Sequence, residues 1–283
     1  SLLFGTDFIS NQASAVFRKL TGIGFTRWLL TVAENHQPYF VEWYGHLGGK
    51  IYTWLAISGA VALFYFCFNK VKKFGWRLTV IFGLFILGFI LNRYSPSSKF
   101  NGTSGISLFV FFGAIALMFL SFIYYYVKAF YKDKDALKQF ETLDTGYLLV
   151  LVWFLITVIS AKLGIRFLFV LGPASAVTVS FLMIKIYDYS FKLKYFILKL
   201  ITWAVLLLIL YLTMFKYAEG AYNSVRYTGP SFNVQWQEAM DWVRNNTPED
   251  AIFAHWWDYG YWVQTEGRRT TILDGGNFIV WWN

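Results

Sequence analysis

The run His255-Trp256-Trp257-Asp258-Tyr259-Gly260-Tyr261 joins two adjacent indoles, a carboxylate and a Tyr-Gly turn, just after the short apolar stretch Ala251–Ala254. A carboxylate framed by indoles suits a small pocket for a hydroxyl donor. The rings exclude water, and Asp258 accepts the hydrogen bond. An aromatic membrane belt with a solvated Asp is the competing reading. Asp258 between Trp257 and Tyr259 is poorly suited to anchoring in lipid, so binding is favoured.

Two other places offer reactive side chains. Glu34 and His36 lie in Thr31-Val32-Ala33-Glu34-Asn35-His36-Gln37-Pro38, close to a chain-stiffening proline. One carboxylate and one imidazole can serve a metal, but as a pair two residues apart they are equally ordinary loop residues. Arg166 opens an otherwise uncharged apolar stretch, with Lys162 just before it. A guanidinium at a membrane boundary either snorkels or pairs with an anion, and its fork matches a phosphate. Asn101-Gly102-Thr103 and Asn245-Asn246-Thr247 fit the N-glycosylation acceptor pattern, the second disfavoured by Pro248. No Gly-rich phosphate loop, Ser/His/Asp arrangement or Cys/His zinc spacing occurs. The single Cys67 lies in an apolar run and excludes an internal disulfide framework.

What must position these groups is a membrane domain. Of 283 residues, 57% are hydrophobic, 22% aromatic and only 14% charged, and the mean hydropathy is +0.46. A soluble domain carries about a quarter charged residues, so lipid must solvate much of this chain. The net charge of +9 comes from Lys and Arg set between apolar runs, which indicates membrane topology rather than a nucleic-acid surface.

Six runs approach bilayer length: Ile51–Phe68, Trp76–Leu91, Ile106–Val127, Gly146–Ala161, Phe167–Ile184 and Leu200–Phe215. The second and fourth are short, and snorkelling Arg77 and Lys162 would extend them. The connections after the first, third and fifth runs carry Lys70, Lys72, Lys73 and Arg77, then Lys128, Lys132, Lys134 and Lys138, then Lys185, Lys192, Lys194 and Lys199. The other two hold only Arg93, Lys99, Lys162 and Arg166. The basic set faces the cytoplasm. Six crossings then put both end segments on the non-cytoplasmic side.

The expected fold is a polytopic α-helical membrane protein of about six spans, followed by the start of a mixed α/β non-cytoplasmic domain. Residues 1–50 form an external loop, 51–216 the transmembrane helices and 217–283 the start of the globular domain. Tyr131–Thr145 reads as a solvated loop. Asn233–Asn245 reads as an amphipathic helix with Trp236, Ala239, Met240 and Val243 on one face. Ala251–Ala254 and Thr270–Leu273 read as short buried strands. A chain starting at Ser1 without Met and stopping after Trp281-Trp282 reads as a piece of something longer.

Together these residues resemble the catalytic subunit of oligosaccharyltransferase, the membrane enzyme of asparagine-linked glycosylation. Trp256-Trp257-Asp258-Tyr259-Gly260 matches that family's five-residue signature, and Thr31-Val32-Ala33-Glu34 looks like its Glu-ending motif. Ser160–Pro173 is similar to its arginine-bearing helix. The Thr-Val-Ala-Glu form looks more archaeal than eukaryotic, which would place the protein in the cell membrane.

The resemblance implies transfer of an oligosaccharide from a lipid-linked pyrophosphate, of dolichol type, to the Asn side chain of Asn-X-Ser/Thr acceptors. It implies that Trp256, Trp257 and Asp258 bind the acceptor hydroxyl. Glu34 would be catalytic and a ligand of a divalent metal, Mn²⁺ or Mg²⁺. Arg166 and Tyr261 would contact the donor pyrophosphate. The family's other metal carboxylates lie in earlier loops, so this stretch alone is expected to be inactive. Another lipid-linked-sugar glycosyltransferase would leave the Trp-Trp-Asp run unexplained. A polytopic transporter would predict ionisable groups facing one another within spans, and these runs hold almost none.

Overall fold

A computed structural model describes residues 36–71 and 74–274, together with the isolated positions 10, 11, 14 and 18. Glu34 lies outside the described residues. The described chain divides into two compact units, Ser1–Tyr217 and Ala218–Asn283.

The first unit is helical. A short helix α1 (Phe40–His46) leads into α2 (Lys50–Phe68), α3 (Gly75–Leu91), α4 (Gly105–Lys132), α5 (Lys134–Glu141), α6 (Thr145–Leu163), α7 (Leu168–Ser190) and α8 (Phe196–Leu210). A π-turn at Tyr211–Phe215 leads from α8 to α9 (Lys216–Tyr227), which belongs to the second unit from Ala218 onward. Among the described residues, five helical stretches are long and apolar enough to cross a membrane: Lys50–Phe68, Gly105–Lys132, Thr145–Leu163, Ile165–Ser190 and Phe196–Tyr227. The second expected run is the helix α3, apolar beyond its first turn apart from Thr79 but only 17 residues long.

Small residues let these helices approach, as they must where lipid supplies no hydrophobic drive between spans. A Cβ at Gly59 of α2 would strike the Thr178 carbonyl of α7, and one at Gly88 of α3 would lie 2.7 Å from the Ala114 methyl of α4. Phe64 stacks on Phe68 at 4.4 Å and on Phe82 at 4.3 Å in the buried core. The outward faces stay apolar. Phe109, Phe119 and Leu120 of α4 and Phe196, Ile197 and Leu207 of α8 are exposed, as side chains bathed in acyl chains would be.

Two expectations need correction here. Tyr131–Thr145 is not a loop but contains α5. Asp133 caps it by accepting from Ala136 N (3.1 Å), and Ala136, Leu137 and Phe140 turn onto the core. Lys162 does not snorkel. It is 4% exposed, and its ammonium donates to Phe89 O (2.7 Å) and to Asn92 Oδ1. A helix end with free backbone acceptors satisfies a buried ammonium that sequence alone would send to water.

The second unit holds α10 (Val234–Asn246), strand β1 (Ile252–Phe253), a 3₁₀ turn (Trp257–Tyr259), α11 (Gly260–Thr265) and strand β2 (Thr270–Thr271). Asn233 caps α10, accepting from Trp236 N at 3.1 Å. Met240, Val243 and Val263 form the core with Phe232, Trp236, Phe253 and Trp262 against them, whereas Ala239 is exposed. The strands pair in parallel, Ile252 with Thr270 and Phe253 with Thr271. The described residues hold just this two-stranded pair, and both strands are partly exposed rather than buried. That is less than the mixed α/β domain expected. With two residues per strand, one face, bearing Phe253, packs against the Met240–Val243–Val263 core, and the other, bearing Ile252 and Thr270, is open to solvent.

Candidate functional site

In the first unit, three connections gather at one end of the helices. Phe40 N donates to Arg93 O (2.8 Å) and Val41 N to Tyr94 O (3.2 Å), which joins the start of α1 to the turn after α3. Ile165 N donates to His36 O (2.9 Å), which joins the segment before α1 to the turn between α6 and α7. Lys162 fastens the end of α6 to the end of α3. The open end of the α2–α3 hairpin and the closed turn of the α6–α7 hairpin therefore lie together.

Arg93, counted in the sequence only as a loop charge, is the hub of this end. Its Nε donates to Gln37 O (3.2 Å), its Nη1 to Asn101 O (3.4 Å), and its guanidinium lies 4.2 Å from the Tyr39 ring. Burial pushes its pKa below the ordinary arginine range, while Tyr39 and Glu42 pull it back up. Gly102, at φ +89°, has no room for a side chain, since a Cβ would lie 2.7 Å from Arg93 Nη1.

Asn101, of the first acceptor-like triplet, is engaged locally. Its Oδ1 accepts from Thr103 N, Thr103 Oγ1 and Ser104 N at 3.0, 3.3 and 2.8 Å. The triplet thus builds the turn into α4.

His36 Nε2 lies 3.2 Å from Glu42 Oε1, and Glu42 Oε2 accepts from Tyr39 N at 2.6 Å. Glu42 was missed in the sequence. Its signal was a glutamate three residues past the start of a helix, the reach-back position of a capping box. His36 is thus already joined to a carboxylate. Among the described residues, no group of three or more His, Cys, Asp or Glu side chains could hold a metal. Arg166, in the 3₁₀ turn Ile165–Phe167, is exposed, its guanidinium 5.0 Å from the Phe167 ring. It meets no carboxylate among the described residues. It is a cation free to receive an anion.

In the second unit the aromatic run splits in two. Tyr259 and Trp262 turn inward, stacking with Trp236 at 4.7 and 4.8 Å. Gly260 is buried so tightly that a Cβ would meet the Leu273 carbonyl and Asp274. Trp256, Trp257 and Tyr261 stay exposed at 57%, 42% and 51%. Asp258, also exposed, makes no hydrogen bond or ion pair among the described residues. The 3₁₀ turn sets this alternation, anchoring the run by one set of rings and offering the other. Trp256, Trp257 and Asp258 form an open platform rather than a closed pocket.

His255 tethers the entry to the turn. Its Nδ1 lies 2.8 Å from Trp256 O, and its buried Nε2 has no partner among the described residues. Arg269, 8% exposed, closes the far side of the unit. It donates to Arg244 O (2.7 Å), Thr247 O (2.7 Å) and Thr247 Oγ1 (3.0 Å), satisfying the C-terminal carbonyls of α10.

No family model matches the chain. Curated relatives do. Over 48 residues the chain is 42% identical to the dolichyl-phosphooligosaccharide-protein glycotransferase of Methanocaldococcus jannaschii, covering 17% of this chain and 5% of that protein. Over 139 residues it is 31% identical to glycotransferase 1 of the same description from Pyrococcus horikoshii, covering 47% of this chain and 14% of the relative. Over 86 residues it is 32% identical to a dolichyl-diphosphooligosaccharide–protein glycosyltransferase subunit of Caenorhabditis elegans, covering 26% and 11%. The chain therefore spans only a small part of the length of the relatives it matches.

Proposed function

We propose that this chain is part of the catalytic subunit of an archaeal-type oligosaccharyltransferase, which moves an oligosaccharide from a dolichol-type pyrophosphate to the Asn side chain of Asn-X-Ser/Thr acceptors. A single observation carries the reading. The main-chain bond from Ile165 to His36 ties the segment that follows Glu34 to the turn that bears the unpaired Arg166. The glycotransferase relatives support it.

In this reading the membrane domain has six crossings, counting α3, and residues 1–50 and 217–283 lie on the non-cytoplasmic face. The second unit is the start of a mixed α/β domain. Asp258, framed by Trp256 and Trp257, accepts the hydrogen bond of the Ser/Thr hydroxyl, and the rings shield that bond. Glu34 engages the amide N–H of the acceptor Asn, a weak nucleophile that needs such help.

As the new bond from sugar carbon to amide nitrogen forms, the bond from sugar carbon to pyrophosphate oxygen breaks. The pyrophosphate oxygen keeps the electron pair of the broken bond, and the proton lost by the amide passes to the departing pyrophosphate. Arg166 receives the departing pyrophosphate in its fork, and Tyr261 contacts the donor. A divalent metal, Mn²⁺ or Mg²⁺, would be held by Glu34 with donors that the described residues do not supply. When bound it would supply positive charge to offset the negative charge of the leaving group.

The test is direct. The protein bearing this chain is incubated with lipid-linked oligosaccharide, divalent metal and a labelled Asn-X-Thr peptide. A labelled glycopeptide is expected, and its absence would overturn the assignment.

A further inference from the structure

At the end of the helices opposite His36 and Arg93, a cleft of about 340 Å³ is lined by Phe74, Arg77, Lys128, Lys132 and Asp133. We propose that it binds the phosphodiester headgroup of an anionic glycerophospholipid.

Three cations converge there from two helices. Arg77 sits in the first turn of α3, Lys132 ends α4, and Lys128 lies one turn earlier on the same face of α4. None of the three pairs with a carboxylate among the described residues. Asp133 accepts from Ala136 N as the cap of α5, so the lining remains net positive. The arrangement is costly without an anion. Like charges repel, and Arg77 opposes the positive end of a helix whose N-cap, Phe74, offers no side-chain acceptor.

The cations are also pre-positioned. Lys128 Nζ lies 5.6 Å from both the Phe74 and Tyr124 rings, and the Arg77 guanidinium lies 5.5 Å from Trp76. Trp76, Tyr124 and Tyr131, exposed at 58%, 57% and 77%, are residues suited to the headgroup level of a bilayer. That position selects a lipid over a dissolved phosphate. The α3 helix spans about 26 Å at 1.5 Å per residue, so this site is separate from the end that holds His36 and Arg93.

Native mass spectrometry of the purified protein, released from phosphatidylcholine nanodiscs doped with phosphatidylglycerol, tests the proposal. The expected result is selective retention of phosphatidylglycerol, weakened about fivefold for each charge removed in Arg77→Gln and Lys128→Gln. Arg77→Lys and Lys192→Gln, the latter outside the cleft lining, should retain it, and inorganic phosphate should not displace it. Equal retention of the two lipids, undiminished retention in both Gln variants, or displacement by phosphate alone would each overturn the proposal. Lys132→Gln, at an exposed helix end, gives an independent single-charge step if another variant fails to fold.

Discussion

Replacing Gly59 by alanine tests the packing on which the membrane unit rests. A Cβ there would meet the Thr178 carbonyl oxygen, lie 2.6 Å from its carbonyl carbon and 3.3 Å from its Cβ. Carbon contacts relax near 3.5 Å, so α2 and α7 must part by about 1 Å. Overpacking of this kind costs about 1–3 kcal/mol. The hydrogen bond from Thr178 Oγ1 to Ala56 O, 3.2 Å long, would stretch and add about 0.5–1.5 kcal/mol. The better helix propensity of alanine returns only about 0.5–1 kcal/mol.

The net expectation is a loss of about 1–3 kcal/mol. Gly113→Ala is the internal control. Nothing lies within 4 Å of its Cβ position, so the propensity gain should stand alone. Reversible unfolding in mixed micelles, followed by circular dichroism, ranks the two variants. If Gly59→Ala proved as stable as Gly113→Ala, the close approach of α2 and α7 would be refuted.

Other expectations concern the site. Arg269→Gln strands the carbonyls at the end of α10 and should destabilise that helix by about 2–4 kcal/mol, read as faster amide exchange across Val234–Asn246; unchanged exchange would contradict the role given to the guanidinium. Gly260→Ala should loosen the return of Leu273 and Asp274, with faster exchange at Thr270 and Thr271 as the measure. Asp258→Ala should weaken peptide binding far more than donor binding, and equal losses in titrations would remove the hydroxyl-binding role. Glu34→Gln should lower glycopeptide turnover by about 10²–10⁴-fold, whereas undiminished turnover would take Glu34 out of the centre.

The helices were legible because their signal is local. Apolar runs and the basic connections marked the long membrane helices, and the helical spacing of Trp236, Met240 and Val243 marked α10. The Trp-Trp-Asp-Tyr-Gly run stood out by composition, yet its division into anchoring and offered rings depends on a 3₁₀ turn that no periodicity reveals. Lys162 was unreadable for a different reason. Its acceptors, Phe89 O and Asn92 Oδ1, come from 73 and 70 residues away, and a lysine at a helix end looks the same whether it seeks water or a buried carbonyl. Glu42 was legible in principle as a reach-back glutamate, but its pairing with His36 spans a proline-bent turn. The segment Tyr131–Thr145 misled because its charges mask Ala136, Leu137 and Phe140, which carry α5 onto the core.

The bond from Ile165 to His36 also sets a schedule. Its two ends are about 130 residues apart, which at synthesis rates of about 5–20 residues per second means a wait of roughly 6–26 s. During that interval the stretch before α1 can reach Arg93, delivered by the first hairpin, but not its second attachment. This end of the bundle is therefore fastened from one side first. A late α6–α7 hairpin completes it, so slow insertion of that hairpin would leave an intermediate with Asn92 and Phe89 still waiting for their lysine.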